Sequence, residues 1–177
     1  MIVHAGNRVD EPGRAAPRFP PYCEAAVAAR LGELLDLLQP DGVVTGISAG
    51  ADLLLAEAAV ERGVPMHAVL VCDQTRYCEV SVDDRGPRWT RAYQRILGHI
   101  AADSRSSLLE LESEPDDAGF RAANGALLER AAGLETNGIL AVAVRPARRE
   151  PVASVTDDFV ARAEKVGLFV VEIDPGP

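Results

Sequence analysis

Apolar positions along the chain alternate between two kinds of run. Short stretches at Met1–Ala5, Gly42–Gly46, Met66–Cys72, Ser107–Leu111, Ile139–Val144 and Leu168–Ile173 place Val, Ile and Leu on consecutive positions, the pattern of strands covered on both faces. Between them apolar residues recur at helical spacing. Val27, Leu31, Leu34, Leu35 and Leu38 form one stripe, and Trp89, Tyr93, Ile96, Leu97 and Ile100 another. Phe120, Leu127, Leu128 and Ala131 make a third, and Phe159, Ala163 and Val166 a shorter fourth. A further helix, Leu53–Arg62, follows the second strand directly. Pro40-Asp41-Gly42 and Gly63-Val64-Pro65 read as helix stops, and Gly133 and Gly167 as C-terminal caps. Strands alternating with helices across short turns predict one doubly wound α/β domain over residues 1–177, with a mostly parallel sheet of about six strands. Two longer irregular stretches, 7–21 and 73–87, are expected to be loops, and the tail 174–177 is expected to fray. No internal repeat or low-complexity tract is present.

Composition narrows the function classes. The chain carries 27 acidic and 18 basic residues, for a formal charge of -9. That balance argues against a domain that grips nucleic acid through its phosphates, so no nucleic-acid partner is expected. Lys165 is the single lysine; a GC-rich coding sequence accounts for the arginine bias. Cys23, Cys72 and Cys78 form no zinc pattern, and their odd number argues against a disulfide framework. The N-terminal residues lack a signal-peptide pattern, and no apolar run approaches the roughly 20 residues that span a bilayer. The expectation is a soluble cytoplasmic protein with no membrane partner, no metal site and no cofactor.

In an open parallel sheet, ligands bind outside the carboxyl ends of the strands, where the strand order reverses. The turn after the second strand, Gly46-Ile47-Ser48-Ala49-Gly50-Ala51-Asp52, opens directly into a helix. Small residues there should leave backbone amides uncovered at a helix N-terminus, which suits a phosphate or carboxylate. The expectation is that these bare amides face an open hollow. Asp52 suits helix capping or a ribose hydroxyl better than a phosphate beside it. Glycines in a tight turn equally serve conformation alone, and the spacing is neither a Walker loop nor a full dinucleotide fingerprint.

The loop after the first strand carries Gly6, Arg8, Arg14 and Arg18 towards the same edge. Arginine is the usual fork for phosphate or carboxylate; the plainer alternative is a solvated loop pinned by Phe19. Cys72 has no partner histidine at recognisable spacing and reads as a buried spectator. His4 and His67 read as satisfied core residues, and His99 as a helix-end residue. Trp89 and Tyr93 read as core. Asn124 continues an inward stripe, so its amide either ties down a neighbouring loop or reaches a ligand.

Three stretches carry a family resemblance. They are the opening strand with Asp10-Glu11-Pro12-Gly13-Arg14 and Pro17-Arg18-Phe19-Pro20; Gly46–Leu54 with Glu57-Ala58-Ala59 and Gly63; and Ser81-Val82 with Trp89 and its helix. Together they resemble the SLOG superfamily, the Rossmann-like group that includes DprA proteins and LOG phosphoribohydrolases, and within it the nucleotide-sensor branch. The resemblance implies a Rossmann-like domain that binds or senses a nucleotide or nucleotide-derived, phosphate-bearing ligand. It implies a pocket lined by Gly46, Ser48, Ala49, Gly50 and Asp52, with Gly6, Arg14, Arg18 and Asn124 contributing. An effector protein encoded nearby is the partner it suggests, and self-association is left open. One departure matters: the stretch Arg145–Thr156, where LOG enzymes carry a second glycine-rich loop, holds no glycine. Either Arg145, Arg148 or Arg149 substitutes charged side chains for the lost amides, or these arginines lie in solvent. No catalytic Arg and Glu pattern is recognisable, so no catalytic residue is assigned. LOG-like cleavage of the N-glycosidic bond of nucleoside monophosphates stands as one alternative, with Asp52 and Glu57 the only acids to nominate. A degenerate interaction scaffold stands as another.

Overall fold

The structure is a computed structural model that describes residues 1–134, 137–148 and 153–176. It contains strands β1 (Ile2–Gly6), β2 (Val43–Thr45), β3 (Met66–Leu70), β4 (Ser107–Glu110), β5 (Leu140–Val144) and β6 (Val170–Ile173). The helices are α1 (Glu24–Leu38), α2 (Ala51–Glu61), α3 (Gln74–Ser81), α4 (Pro87–Ala102), α5 (Asp117–Leu134) and α6 (Val155–Lys165). All six strands pair in parallel, in the order β4-β3-β2-β1-β5-β6. The order runs outward from β1 through β4, then restarts on the other side of β1 with β5. The doubly wound sheet expected from the sequence is therefore present, with its switch point between β1 and β5.

Alternate residues of each strand feed two separate cores. Ile2, Val43, Met66, Ala68 and Leu70 pack with Val27, Leu31 and Leu35 of α1, with α2, and with Trp89, Tyr93, Ile96 and Ile100 of α4. Val3, Val44, Val69, Ala141 and Ala143 pack on the other face with Leu127 and Ala131 of α5 and Phe159, Val160 and Ala163 of α6. Two-sided burial explains why the strand sequences lack polar alternation. α2 is buried almost throughout, because it is packed between the sheet and its neighbouring helices. Gly63, at φ +67, and Gly167, at φ +80, end α2 and α6 in the left-handed conformation.

Three expectations change. Residues 74–81 are helix rather than loop, and a single 3-10 turn follows at Asp83–Arg85. α3 escapes an apolar-stripe reading because only Tyr77 and Ser81, one turn apart, point inward. Its start is nonetheless coded: the Asp73 carboxylate accepts the amides of Thr75 and Arg76, both at 3.1 Å. Gly133 lies inside α5 rather than capping it. The tail is anchored through residue 175: the Asp174 carbonyl accepts from Arg30 at 2.9 Å, and Pro175 is buried. Pro177 lies outside the described residues. No described helix is long and apolar enough to cross a membrane.

Candidate functional site

A cavity of about 480 Å³ opens at the carboxyl edge of the sheet, beside the switch point. Its walls come from both halves of the fold. Ala5 and Gly6 end β1, Gly46 follows β2, and Val69 and Val71 end β3. Phe120, Ala123, Asn124 and Leu127 project from α5, and Ala153–Thr156 bring the first turn of α6. Tyr77 and Ser81 line it from α3, and Arg8, Arg14, Arg18 and Arg85 from the loops. The volume is in the range of small-molecule sites, roughly 300–1,000 Å³.

Four amides expected to be bare around the head of α2, those of Ser48, Ala49, Ala51 and Leu53, already have acceptors within the protein. Ala49 N–H donates to the Ser81 carbonyl at 2.9 Å, Ala51 N–H to Asn7 at 3.2 Å, and Leu53 N–H to Ser48 at 3.3 Å. Ser48 N–H and its hydroxyl both donate to Asp52 Oδ2, at 3.4 and 2.7 Å. Gly6 N–H donates to Asp52 Oδ1 at 3.1 Å. A carboxylate carried by the helix thus occupies donors that a bare turn would offer an anion. The reason is steric as well as electronic. Gly50, at φ +143, lies against the β1 loop, and a Cβ there would stand 2.6 Å from Asn7 O and Val9 N. Arg8 and Gly50 form an antiparallel bridge. This turn is a docking site for the protein's own backbone.

Of the residues nominated from sequence, Gly6, Arg14, Arg18, Gly46, Ser48, Asp52 and Asn124 line the cavity. Ala49 and Gly50 do not, and both are buried in backbone contacts. Asn124 Nδ2 donates to Val155 O at 2.9 Å and to Asp158 Oδ2 at 3.0 Å. Its amide nitrogen therefore ties α5 to the head of α6, the first of the two roles open to it. Asp10, almost fully buried, organises the loop by accepting the amides of Arg18 and Phe19 at 2.8 and 2.9 Å. Arg14 sits 3.4 Å from the same carboxylate, and Phe19 is fully buried, so the loop is pinned to the core as expected.

The stretch without glycine behaves differently from its expected role. Arg145 is buried and bound to Asp157 at 2.5 Å and to Glu172 at 2.8 Å. It braces β5, β6 and α6 and supplies no cation to the cavity. Arg148 is exposed, and Arg149 lies outside the described residues. What faces the cavity instead is the N-terminus of α6. Ser154 caps it, accepting from Asp157 N at 3.2 Å, while the Asp157 carboxylate accepts from Ser154 N at 2.8 Å. Thr156 Oγ1 donates to Asn7 Oδ1 at 3.0 Å.

Several cavity residues were given no ligand-binding role from the sequence. Tyr77 is buried, and burial followed by the nearby Asp52 charge pushes its phenol far above the usual range. It stays a neutral hydroxyl. Ser81 is almost fully buried, and its hydroxyl has no hydrogen-bond partner. Arg85, Phe120 and Thr156 complete the group. A reading of Asp73 as a cap and of Ser154-x-x-Asp157 as a capping pair would have placed two helix ends beside the edge. Burial, then the neighbouring Arg85 charge, pulls the Arg8 guanidinium below its ordinary value.

Of the residues set aside in the sequence, Cys72, Trp89, Tyr93 and His67 hold their assigned places and His4 does not. Cys72 is buried, and burial pushes its thiol up. Trp89 and Tyr93 are core. Glu57 pairs with Arg88 and Arg95, away from the cavity. His67 Nδ1 lies 2.9 Å from Ser107 Oγ. His4 departs from the satisfied-core expectation: Nδ1 meets Thr45 Oγ1 at 3.0 Å and Asp52 Oδ1 at 3.3 Å, but buried Nε2 has no partner. Among the described residues no cluster of acids, histidines and cysteines is arranged to hold a metal ion.

No family model and no curated protein matches the chain. Among solved structures it is similar to DNA processing protein A (DprA) from Streptococcus pneumoniae, at 16% sequence identity and a TM-score of 0.41. The match covers 94% of this chain and 61% of that one, so this chain spans less than two thirds of that protein. At this distance no residue of one can be paired with a role in the other.

Proposed function

We propose that the chain binds a nucleotide or nucleotide-derived ligand in the cavity beside the β1–β5 switch point. The observation that carries this reading is the division of the cavity wall by chemistry. Val69, Val71, Phe120 and Leu127 make an apolar surface suited to a base. Asn7, Ser48, Ser81 and Thr156 add hydroxyl and amide groups suited to a sugar, and Arg8, Arg14, Arg18 and Arg85 bring positive charge to the lining. Four arginines against three aspartates, Asp10, Asp52 and Asp117, leave the lining net positive in a chain of net charge -9, which favours an anionic guest. The small-residue turn contributes shape, and the amides of Ser48, Ala49, Ala51 and Leu53 are used internally.

N-glycosidic hydrolysis has less support. It needs a carboxylate able to take a proton or steady a cation at the reacting carbon. Asp52 is saturated by Gly6 and Ser48, and Glu57 is elsewhere. Incubated AMP is expected back intact, with no free adenine. The closed-scaffold reading requires the cavity shut.

The test is thermal unfolding against nucleoside mono-, di- and triphosphates, cyclic nucleotides and ADP-ribose derivatives. A ligand at 100 times its dissociation constant adds about 2.7 kcal/mol, a shift of roughly 5–11 °C for a domain of this size. No shift across the panel defeats the reading.

A further inference from the structure

Two of the cavity's arginines are joined by one carboxylate. Arg8 donates through Nη2 to Asp84 Oδ1, and Arg85 donates through Nη1 to Asp84 Oδ2 at 2.6 Å. Arg85 is further fixed by Val9 O at 2.8 Å and Glu11 Oε1 at 2.9 Å, and its side chain is only 9% exposed. Arg8 and Arg85 line the cavity; Asp84 and Glu11 do not, and their side chains are 42% and 65% exposed. Two like charges held side by side need an anion between them. A carboxylate bridging two guanidiniums is chemically a substitute for a phosphate, which presents the same paired oxygens with more charge. Arg8 Nε is buried and has no partner, so this pair retains an unused donor while Asp84 is bound.

We infer that Arg8 and Arg85 form an anion subsite in the cavity wall, for a phosphate or diphosphate group, and that Asp84 occupies it as an internal competitor. The subsite rests on the cavity being a ligand site, but its chemistry is separable from that of the base. An incoming phosphate replaces the Asp84 carboxylate between the guanidiniums. Asp84, on the exposed 3-10 turn between α3 and α4, then turns to solvent. Removing its charge therefore strengthens anion binding, the reverse of what a purely supporting carboxylate would do.

The experiment titrates inorganic pyrophosphate, AMP and adenosine calorimetrically into the full chain and into Asp84→Asn, which keeps size and polarity while losing the charge. Pyrophosphate is expected to bind Asp84→Asn on the order of tenfold more tightly than the parent, about 1.4 kcal/mol. Arg8→Gln is expected to weaken pyrophosphate and AMP by a similar factor and leave adenosine unchanged. Circular dichroism confirms that each variant is folded. Unchanged or weaker pyrophosphate binding by folded Asp84→Asn overturns the subsite, as does AMP binding no more tightly than adenosine when both are bound. In the latter case the cavity reading survives. Tighter pyrophosphate binding with no nucleotide bound leaves the subsite standing and removes the nucleotide reading.

Discussion

Replacing Gly50 with alanine tests whether the turn before α2 is built for backbone contact. Gly50 has φ +143 and ψ -133, a conformation that costs a side-chain-bearing residue on the order of 1–3 kcal/mol. The added methyl would also stand 2.6 Å from Asn7 O, 2.6 Å from Val9 N and 2.8 Å from Arg8 Cα. Those are main-chain atoms, which cannot swing aside as a flexible side chain does. Relief means parting the loop from α2 and loosening Val9 N–H to Ala49 O at 2.9 Å and Ala51 N–H to Asn7 O at 3.2 Å. Each such bond contributes about 1 kcal/mol, so the total lies near 3–5 kcal/mol. At roughly 2–4 °C per kcal/mol, calorimetry should show a melting temperature lowered by about 6–20 °C. Gly63→Ala is the control, because it has φ +67 and no atom within 4 Å of the new Cβ; it carries only the conformational cost, about 1–2 kcal/mol. A Gly50→Ala melting temperature at or above that of Gly63→Ala refutes the steric argument.

Asp52→Ala deprives the Gly6 and Ser48 amides and the Ser48 hydroxyl of their acceptor. Buried donors left unmet cost about 1–3 kcal/mol each, so urea unfolding should show at least about 2 kcal/mol lost; a loss below about 0.5 kcal/mol would mean the carboxylate is not holding the turn. His67 is held below its usual 6.5 by burial first and then by the Arg130 charge. Its folded state therefore favours the neutral ring: the associated stability is present above pH 6.5 and lost as pH falls through the folded value. Denaturation at pH 7.5 and 5.0 should show a smaller pH-dependent loss in His67→Gln than in the parent, and equal losses would refute it.

The fold was legible because its cues are repeated. Every strand carries consecutive apolar residues, and turns such as Gly63-Val64-Pro65 and Gly167 mark where helices must stop. α3 was hidden because a helix that fully buries only Tyr77 and Ser81 has no stripe to read. At the site, the sequence supplied the edge and seven of the residues that line it but misassigned the chemistry of the turn. Small residues and a following helix are the same signal whether the guest is a phosphate or the protein's own main chain. Which one applies depends on how closely Arg8 approaches Gly50, a contact spanning 42 positions. Arg145 misled in a similar way, since its acidic partners Asp157 and Glu172 are distant in sequence or assigned to other elements. Arg85 was out of view because a cation following two aspartates looks solvated until the loop carrying Val9 and Glu11 folds onto it.

The arch after β1 is fastened at two places, by Asn7 to β5, α2 and α6, and by Asp10 to Arg18 and Phe19. Between those anchors, residues 11–17 are exposed throughout. Length changes there would alter the rim of the cavity without disturbing either core. A lineage could thus retune which guests it admits by inserting or deleting a few residues, leaving the scaffold's cooperativity intact.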